Sequence, residues 1–154
     1  MHRPDSRVSQ GAVADSNAYA HGGVAGHAGI FSTVGDILNF TAVWQPVQSA
    51  GMRLLNATTI AFWTRAPNPS FSPRALGWVT QAATDTYQGC GKLSAETFYH
   101  TGFTGTLMCL DPTRNISTVL LTTRVYPNMT ANVDGILALR RNFNDAVLGV
   151  LRTN

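Results

Sequence analysis

Phe98-Tyr99-His100-Thr101-Gly102-Phe103-Thr104-Gly105-Thr106, continuing through Asp111-Pro112 into Val119-Leu120-Leu121-Thr122-Thr123-Arg124, is the stretch that decides how this chain is read. An aromatic pair leads into a histidine and then into a run of small residues. Gly102 and Gly105 leave backbone N–H groups bare where larger side chains would shield them, which is how a main chain grips a carbonyl oxygen. Residues 104–110 and 116–124 read as two strands joined by Asp111-Pro112-Thr113-Arg114-Asn115, residues suited to a hairpin turn. The run predicts a strand ending in a ligand-facing lip, followed by a buried antiparallel pair.

Outward from it, residues 1–21 are polar and read as irregular. Gly22, Gly23, Gly26 and Gly29 place four glycines in eight residues, so regular order is expected from about Ile30. Ser32 or Thr33 can cap a helix whose first turn holds Asp36, favourable at the positive end of the helix dipole. Ile37, Phe40, Val43 and Trp44 fall on one face, and Pro46 ends or bends the helix. A shorter helix is expected over 57–65, with Leu54, Leu55, Ile60 and Trp63 facing inward. Residues 67–73, with three prolines, must be loop. A strand is expected over 75–81, a loop over 84–96, and the start of the lip strand at 97–100. Val133, Ile136, Leu137, Leu139, Val147, Leu148 and Leu151 mark a long closing helix, weakened slightly by Gly135 and Gly149.

His100-Thr101-Gly102-Phe103-Thr104-Gly105-Thr106, followed by a strand, Asp-Pro and Val-Leu-Leu-Thr-Thr-Arg-Val, resembles the third active-site motif of the serine β-lactamase-related hydrolases, which include class C β-lactamases, DD-peptidases and related esterases. The stretch from Gly22 to Thr33, with Asp36, Leu38 and Phe40 after it, is similar to the loop and helix that such proteins place before that motif, and Leu76-Gly77-Trp78 lies between. The resemblance covers nearly the whole chain but only the C-terminal part of the family's domain. It implies an α+β fold, an antiparallel sheet flanked by helices, incomplete in these residues and held in one partial domain over 1–154. It also implies a small-molecule ester or amide substrate, with His100, Thr101 and Gly102 orienting it and the Phe103 N–H as one of two oxyanion donors. His100 stands where many members carry lysine; histidine there is familiar among the esterase-like relatives and depends on pH. His27, in the glycine loop, either contacts substrate or holds the loop through a backbone carbonyl.

Chemistry in that family needs a serine three residues before a lysine, so that one helical turn brings the amine beside the hydroxyl. The chain has one lysine, Lys92, and the residue three before it is Gly89. The second motif, Tyr-x-Asn, should precede the glycine-rich loop. Its one formal match, Tyr126-Pro127-Asn128, follows the third motif and reads as a turn. No Gly-x-Ser-x-Gly elbow offers a Ser-His-acid alternative. Two classes of function follow: a serine hydrolase represented by its C-terminal part and inactive alone, or a non-catalytic remnant that binds a partner through an uncovered sheet.

Composition excludes other classes. The 154 residues are 44% hydrophobic, enough to bury a core, and only 12% charged, with a formal net charge of +3. Arginines are scattered singly apart from Arg140-Arg141, with no basic patch interleaved with aromatics, so nucleic-acid binding is not expected. No apolar run reaches the roughly 20 residues of a membrane span, and the polar stretch Met1–Arg7 lacks the apolar core of a signal peptide. Localisation stays open. Gly23-x-x-Gly26-x-x-Gly29 lacks a preceding strand and the dinucleotide or Walker spacing, so it reads as a cleft loop rather than a phosphate cradle. His21 and His27 lack the i, i+4 spacing of a helical metal pair, and no cofactor or metal is expected. Cys90 and Cys109 are read as a loop residue and a buried small hydrophobe, with no disulfide framework. Asn-x-Ser/Thr sequons at Asn39, Asn56, Asn115 and Asn128 carry weight only in a secreted chain. The last strand is expected to present an unpaired edge that invites self-association.

Overall fold

The structure, a computed structural model, describes residues 10–46, 54–81, 89–126 and 133–152. The chain divides into two units, residues 1–33 and 34–154. In the first, the expectation of an irregular segment is corrected by a short helix, α1 (Ser16–Ala20). Asp15 caps it: its Oδ1 accepts the Ala18 N–H at 2.8 Å, satisfying an end group that would otherwise need water. The Gly23 N–H donates to the Ala18 carbonyl at 2.8 Å and closes the helix into the glycine loop, which is folded on itself by a bridge between Ala25 and Ala28.

The second unit is built on a four-stranded antiparallel sheet in the order β1 (Val79–Thr80), β2 (Phe98–Thr101), β3 (Leu107–Asp111), β4 (Ile116–Leu120). Helices α2 (Val34–Ala42) and α3 (Ala57–Thr64) precede it and α4 (Val133–Arg152) closes it. Asp36 lies in the first turn of α2 as expected. Asn56 caps α3, its Oδ1 accepting the Thr59 N–H at 2.7 Å. In register, Phe98 faces Leu110, Tyr99 faces Cys109 and His100 faces Met108. Side chains alternate across a strand, so each sheet face collects its own core. Tyr99, Val79, Leu107 and Cys109 pack with Leu148 of α4. Phe98, Leu110 and Trp78 pack on the other face with Trp44, in the segment that follows α2. There Phe40, Trp44, Trp78 and Phe98 form a chain of ring contacts with centroids 5.0–6.4 Å apart. Gln45 fastens this segment to β4, donating to the Ile116 carbonyl at 2.9 Å.

Several local expectations need correction. The segment expected as a strand over 75–81 is mostly a tight turn: Gly77 takes φ +77, the Ala75 N–H donates to the Trp78 carbonyl, and only Val79–Thr80 pairs with β2. β3 begins at Leu107 rather than 104, because Gly102–Thr106 is consumed in a closed turn, and β4 ends at Leu120 rather than 124. Trp63 is 44% exposed and α3 buries none of its residues, since its apolar side chains are spread round the helix rather than gathered on one face. The Tyr126-Pro127-Asn128 turn falls partly outside the described residues.

Cys90 and Cys109, read as independent thiols, are a fully buried disulfide with Cα atoms 6.0 Å apart, well within the bridging range. The ring of Tyr99 lies directly against Gly89, and Tyr99 is the cross-strand neighbour of Cys109. Cys90, in the loop before β2, thus reaches β3 although the two cysteines are 19 residues apart in sequence. Counting cysteines does not reveal this; the packing of that loop against β3 does.

Candidate functional site

Residues 100–106 leave β2, turn, and enter β3. The turn is closed by two hydrogen bonds, Gly102 N–H to the Thr106 carbonyl at 2.8 Å and Gly105 N–H to the Gly102 carbonyl at 3.0 Å. Both glycines are required. A Cβ on Gly102 would collide with Thr106 Oγ1, and Gly105 combines φ +111 with a Cβ position that Thr122 Oγ1 already fills.

Every carbonyl from residue 101 to 106 accepts a hydrogen bond. Thr101 O lies 3.0 Å from the His100 ring Nδ1. Arg140, on α4, donates to Gly102 O at 2.9 Å, Gly105 O at 3.2 Å and Thr106 O at 3.0 Å. Arg124 donates through Nε to Phe103 O and through its backbone N–H to Thr104 O, both at 2.7 Å, and its guanidinium carbon sits 4.5 Å above the Phe103 ring. The Phe103 N–H takes part in none of these bonds. The carbonyls of the turn are thus engaged while the Phe103 N–H is not.

His100 is exposed at the end of β2, on the sheet face of Phe98 and Met108. A carbonyl only accepts, so the ring nitrogen facing Thr101 O carries the proton, and the outer Nε2 of the neutral ring is an acceptor. His100 becomes a donor to an incoming anion only as the imidazolium. Thr101 and Gly102 are half-buried beside it.

In the first unit, His27 Nε2 lies 3.0 Å from Asp15 Oδ1, the oxygen that also caps α1. The ring therefore fastens the glycine loop to the α1 cap through a side-chain carboxylate rather than a backbone carbonyl. The Ala18 N–H, followed by the His27 hydrogen bond, holds the Asp15 carboxyl below its ordinary value.

Arg140 and Arg124 were not legible as lip residues, although α4 carries a signal. Ile136, Arg140, Asn144 and Leu148 recur every four residues, which places an arginine and an asparagine on the buried stripe of an amphipathic helix. Asn144 is used structurally, accepting the Thr118 hydroxyl at 2.6 Å. Arg140 is 6% exposed, and among the described residues no carboxylate is in ion-pair contact with it. Burial pulls its pKa down, Arg124 pushes the same way and Tyr99 opposes.

A cavity of about 500 Å³ lies elsewhere in the second unit, between α3, the end of α2 and the start of β2. Ile60, Thr64, Trp44 and Phe98 line it, and none of His100, Thr101, Gly102 or Phe103 does. Among the described residues no cluster of three His, Cys, Asp or Glu could hold a metal, and no helix is long and apolar enough to cross a membrane.

An antiparallel sheet flanked by helices, with α4 against one face, accords with part of a β-lactamase-like α+β fold. The protein-family description "Beta-lactamase" matches residues 1–142. A protein of Escherichia coli (strain K12) named "Putative D-alanyl-D-alanine carboxypeptidase" is 36% identical over 134 residues, covering 82% of this chain and 30% of that protein. A Salmonella agona (strain SL483) protein of the same name is 34% identical over 143 residues, covering 86% of this chain and 33% of its own length. The chain belongs to this β-lactamase-related family of serine hydrolases and spans about a third of the length of the curated relatives it matches. No solved structure matches it.

Proposed function

We propose that these residues are the C-terminal part of a β-lactamase-related hydrolase domain and supply one wall of its acyl-transfer site, acting on an ester or amide. The observation that carries this reading is the Gly102–Thr106 turn, whose carbonyls are all engaged while the Phe103 N–H is not. Such a donor stabilises charge developing on a carbonyl oxygen as it becomes tetrahedral. Phe103 is then one oxyanion donor, with a second supplied by the residue that carries the nucleophile. His100, Thr101 and Gly102 orient the acyl or carboxylate end of the substrate, His100 contributing charge when protonated. His27 is assigned to holding the glycine loop. The relatives' names favour a peptide ending in D-alanine as the amide to test first.

No Ser-x-x-Lys occurs in these 154 residues, so the chain alone is expected to bind without turning over. Incubation with a chromogenic ester and a chromogenic cephalosporin, followed by intact mass, should give neither product nor adduct; a stable acyl adduct would overturn the assignment of the nucleophile to residues outside this chain. Titration of the ¹⁵N-labelled chain with N-acetyl-D-alanyl-D-alanine should move the amides of His100 and Phe103, and unmoved amides would remove the site.

A second reading rests on the outer edge of β4, which has no strand beside it among the described residues. In that reading the chain associates through Ile116–Leu120. Sedimentation at increasing concentration should then show dimers, and a monomer at all concentrations would dismiss it.

A further inference from the structure

We infer that Arg140 is the positioning residue of the oxyanion turn: from α4 it holds the Gly102–Phe103 peptide so that its N–H faces away from the helix, towards the sheet face that carries His100. This rests on the proposed acyl-transfer reading and adds a residue to it.

The geometry follows from the peptide bond. A trans amide is planar, with C=O and N–H pointing in opposite directions. The Gly102 carbonyl accepts Arg140 Nη2 at 2.9 Å, so it points at α4 and the N–H of the same peptide group, that of Phe103, points away from it. α4 packs with Tyr99 and Cys109 on one face of the sheet, and His100 and Met108 belong to the other. Two further bonds from the same guanidinium, to Gly105 O at 3.2 Å and Thr106 O at 3.0 Å, fix the far side of the turn. One planar fork thus sets three carbonyls at once, which a lysine ammonium on a flexible stem cannot reproduce.

The energetics point the same way. Arg140 is 6% exposed and neutralised by carbonyl dipoles alone among the described residues, on a helix stripe where Ile136 and Leu148 show that an apolar side chain is tolerated. A buried cation without a counter-charge is an expensive way to fill space. Its return is directional. Donation from a cation to the Gly102 carbonyl also polarises that amide, making the Phe103 N–H a stronger donor to an incoming oxyanion.

The experiment uses the ¹⁵N-labelled chain as wild type, Arg140→Lys and Arg140→Gln, with Arg141→Gln as the neighbouring control, and methylphosphonate as a tetrahedral anion probe. Without ligand, Gly105 amide exchange should rise about tenfold in both Arg140 variants, the loss expected for about one hydrogen bond, and the Phe103 amide proton should move upfield. Thr118 and Leu148 amides, which report the surrounding fold, should stay put. With methylphosphonate, the Phe103 amide should shift in wild type and Arg141→Gln and fail to shift in Arg140→Lys. Folded Arg140 variants with unchanged Gly105 exchange and an unchanged phosphonate response would overturn the inference. A wild type that ignores methylphosphonate defeats the acyl-transfer reading instead, and the ligand-free Gly105 and Phe103 signals still decide whether Arg140 orients the turn. Should the variants not fold, the wild type alone suffices. A slowly exchanging Arg140 Nε–H that shifts with methylphosphonate supports the inference, and a freely rotating, solvent-averaged guanidinium refutes it.

Discussion

The two ends of β3 are fastened by opposite charges. At its start, the cations Arg140 and Arg124 collect the carbonyls of the Gly102–Thr106 turn and leave a main-chain donor over. At its finish, the fully buried carboxylate of Asp111 collects donors instead: Ser94 through its N–H at 2.9 Å and hydroxyl at 2.7 Å, the Thr113 and Arg114 N–H groups at 3.0 and 3.1 Å, and the Arg114 guanidinium at 2.6 Å. A cation at a turn turns its N–H groups outward; an anion uses them up. In the proposed reading only the first end receives an oxyanion, although both are short connections between antiparallel neighbours, β2 to β3 and β3 to β4.

Breaking the acidic end should have the largest effect. Asp111→Ala removes the shared acceptor of the Ser94, Thr113 and Arg114 N–H groups and the partner of the exposed Arg114 guanidinium, and should lower stability by roughly 3 kcal/mol in urea unfolding. The Phe103 amide shift should survive at denaturant-free conditions, because the cationic end has its own fastening. Replacing both cysteines by serine removes the tie between β3 and the 89–93 segment, a 19-residue separation for which loop closure gives about 3 kcal/mol. It should weaken both ends of β3 alike, which amide exchange at Gly105 and Thr113 would read. Gly105→Ala forces a side chain into φ +111 against Thr122 Oγ1 and should destabilise by about 2 kcal/mol, with loss of the Phe103 response. Loss of stability with the response intact would mean that the turn does not set the donor.

Acid should separate the ends more gently. Burial pushes the Asp111 carboxyl up, but the Ser94 and Arg114 hydrogen bonds outweigh it and hold the pKa below its ordinary 3.8. A lowered folded-state pKa contributes stability that is complete above the unfolded value and is lost as pH falls through the folded one. Amides at Thr113 and Arg114 should therefore lose protection only below about pH 4, while the arginine-held turn, whose cations stay protonated there, keeps its own.

The sequence makes much of this legible and hides the rest for physical reasons. Periodicity found α4, because Ile136, Leu137 and Leu148 repeat at helical spacing, and the small residues around Gly102 and Gly105 marked the lip. The disulfide is hidden because it depends on how the loop before β2 packs against β3, a tertiary fact that the spacing of Cys90 and Cys109 does not contain. Residues 75–78 turn rather than extend because Gly77 adopts φ +77, a choice invisible in an otherwise strand-like run. The residue type of Trp63 predicts a core position, but α3 has no single apolar face and leaves it 44% exposed. Arg140 is hidden because a charged residue ordinarily lies on the solvent side; its i, i+4 relation to Ile136 and Asn144 is the signal the sequence carries.

The most direct test is a ¹H–¹⁵N titration of the intact chain with methylphosphonate. A saturable downfield shift centred on the Phe103 amide, and absent from Thr113 and Arg114, is the predicted result. Shifts confined to the Asp111 turn, or none at all, would contradict the assignment of the Gly102–Thr106 turn as an oxyanion site.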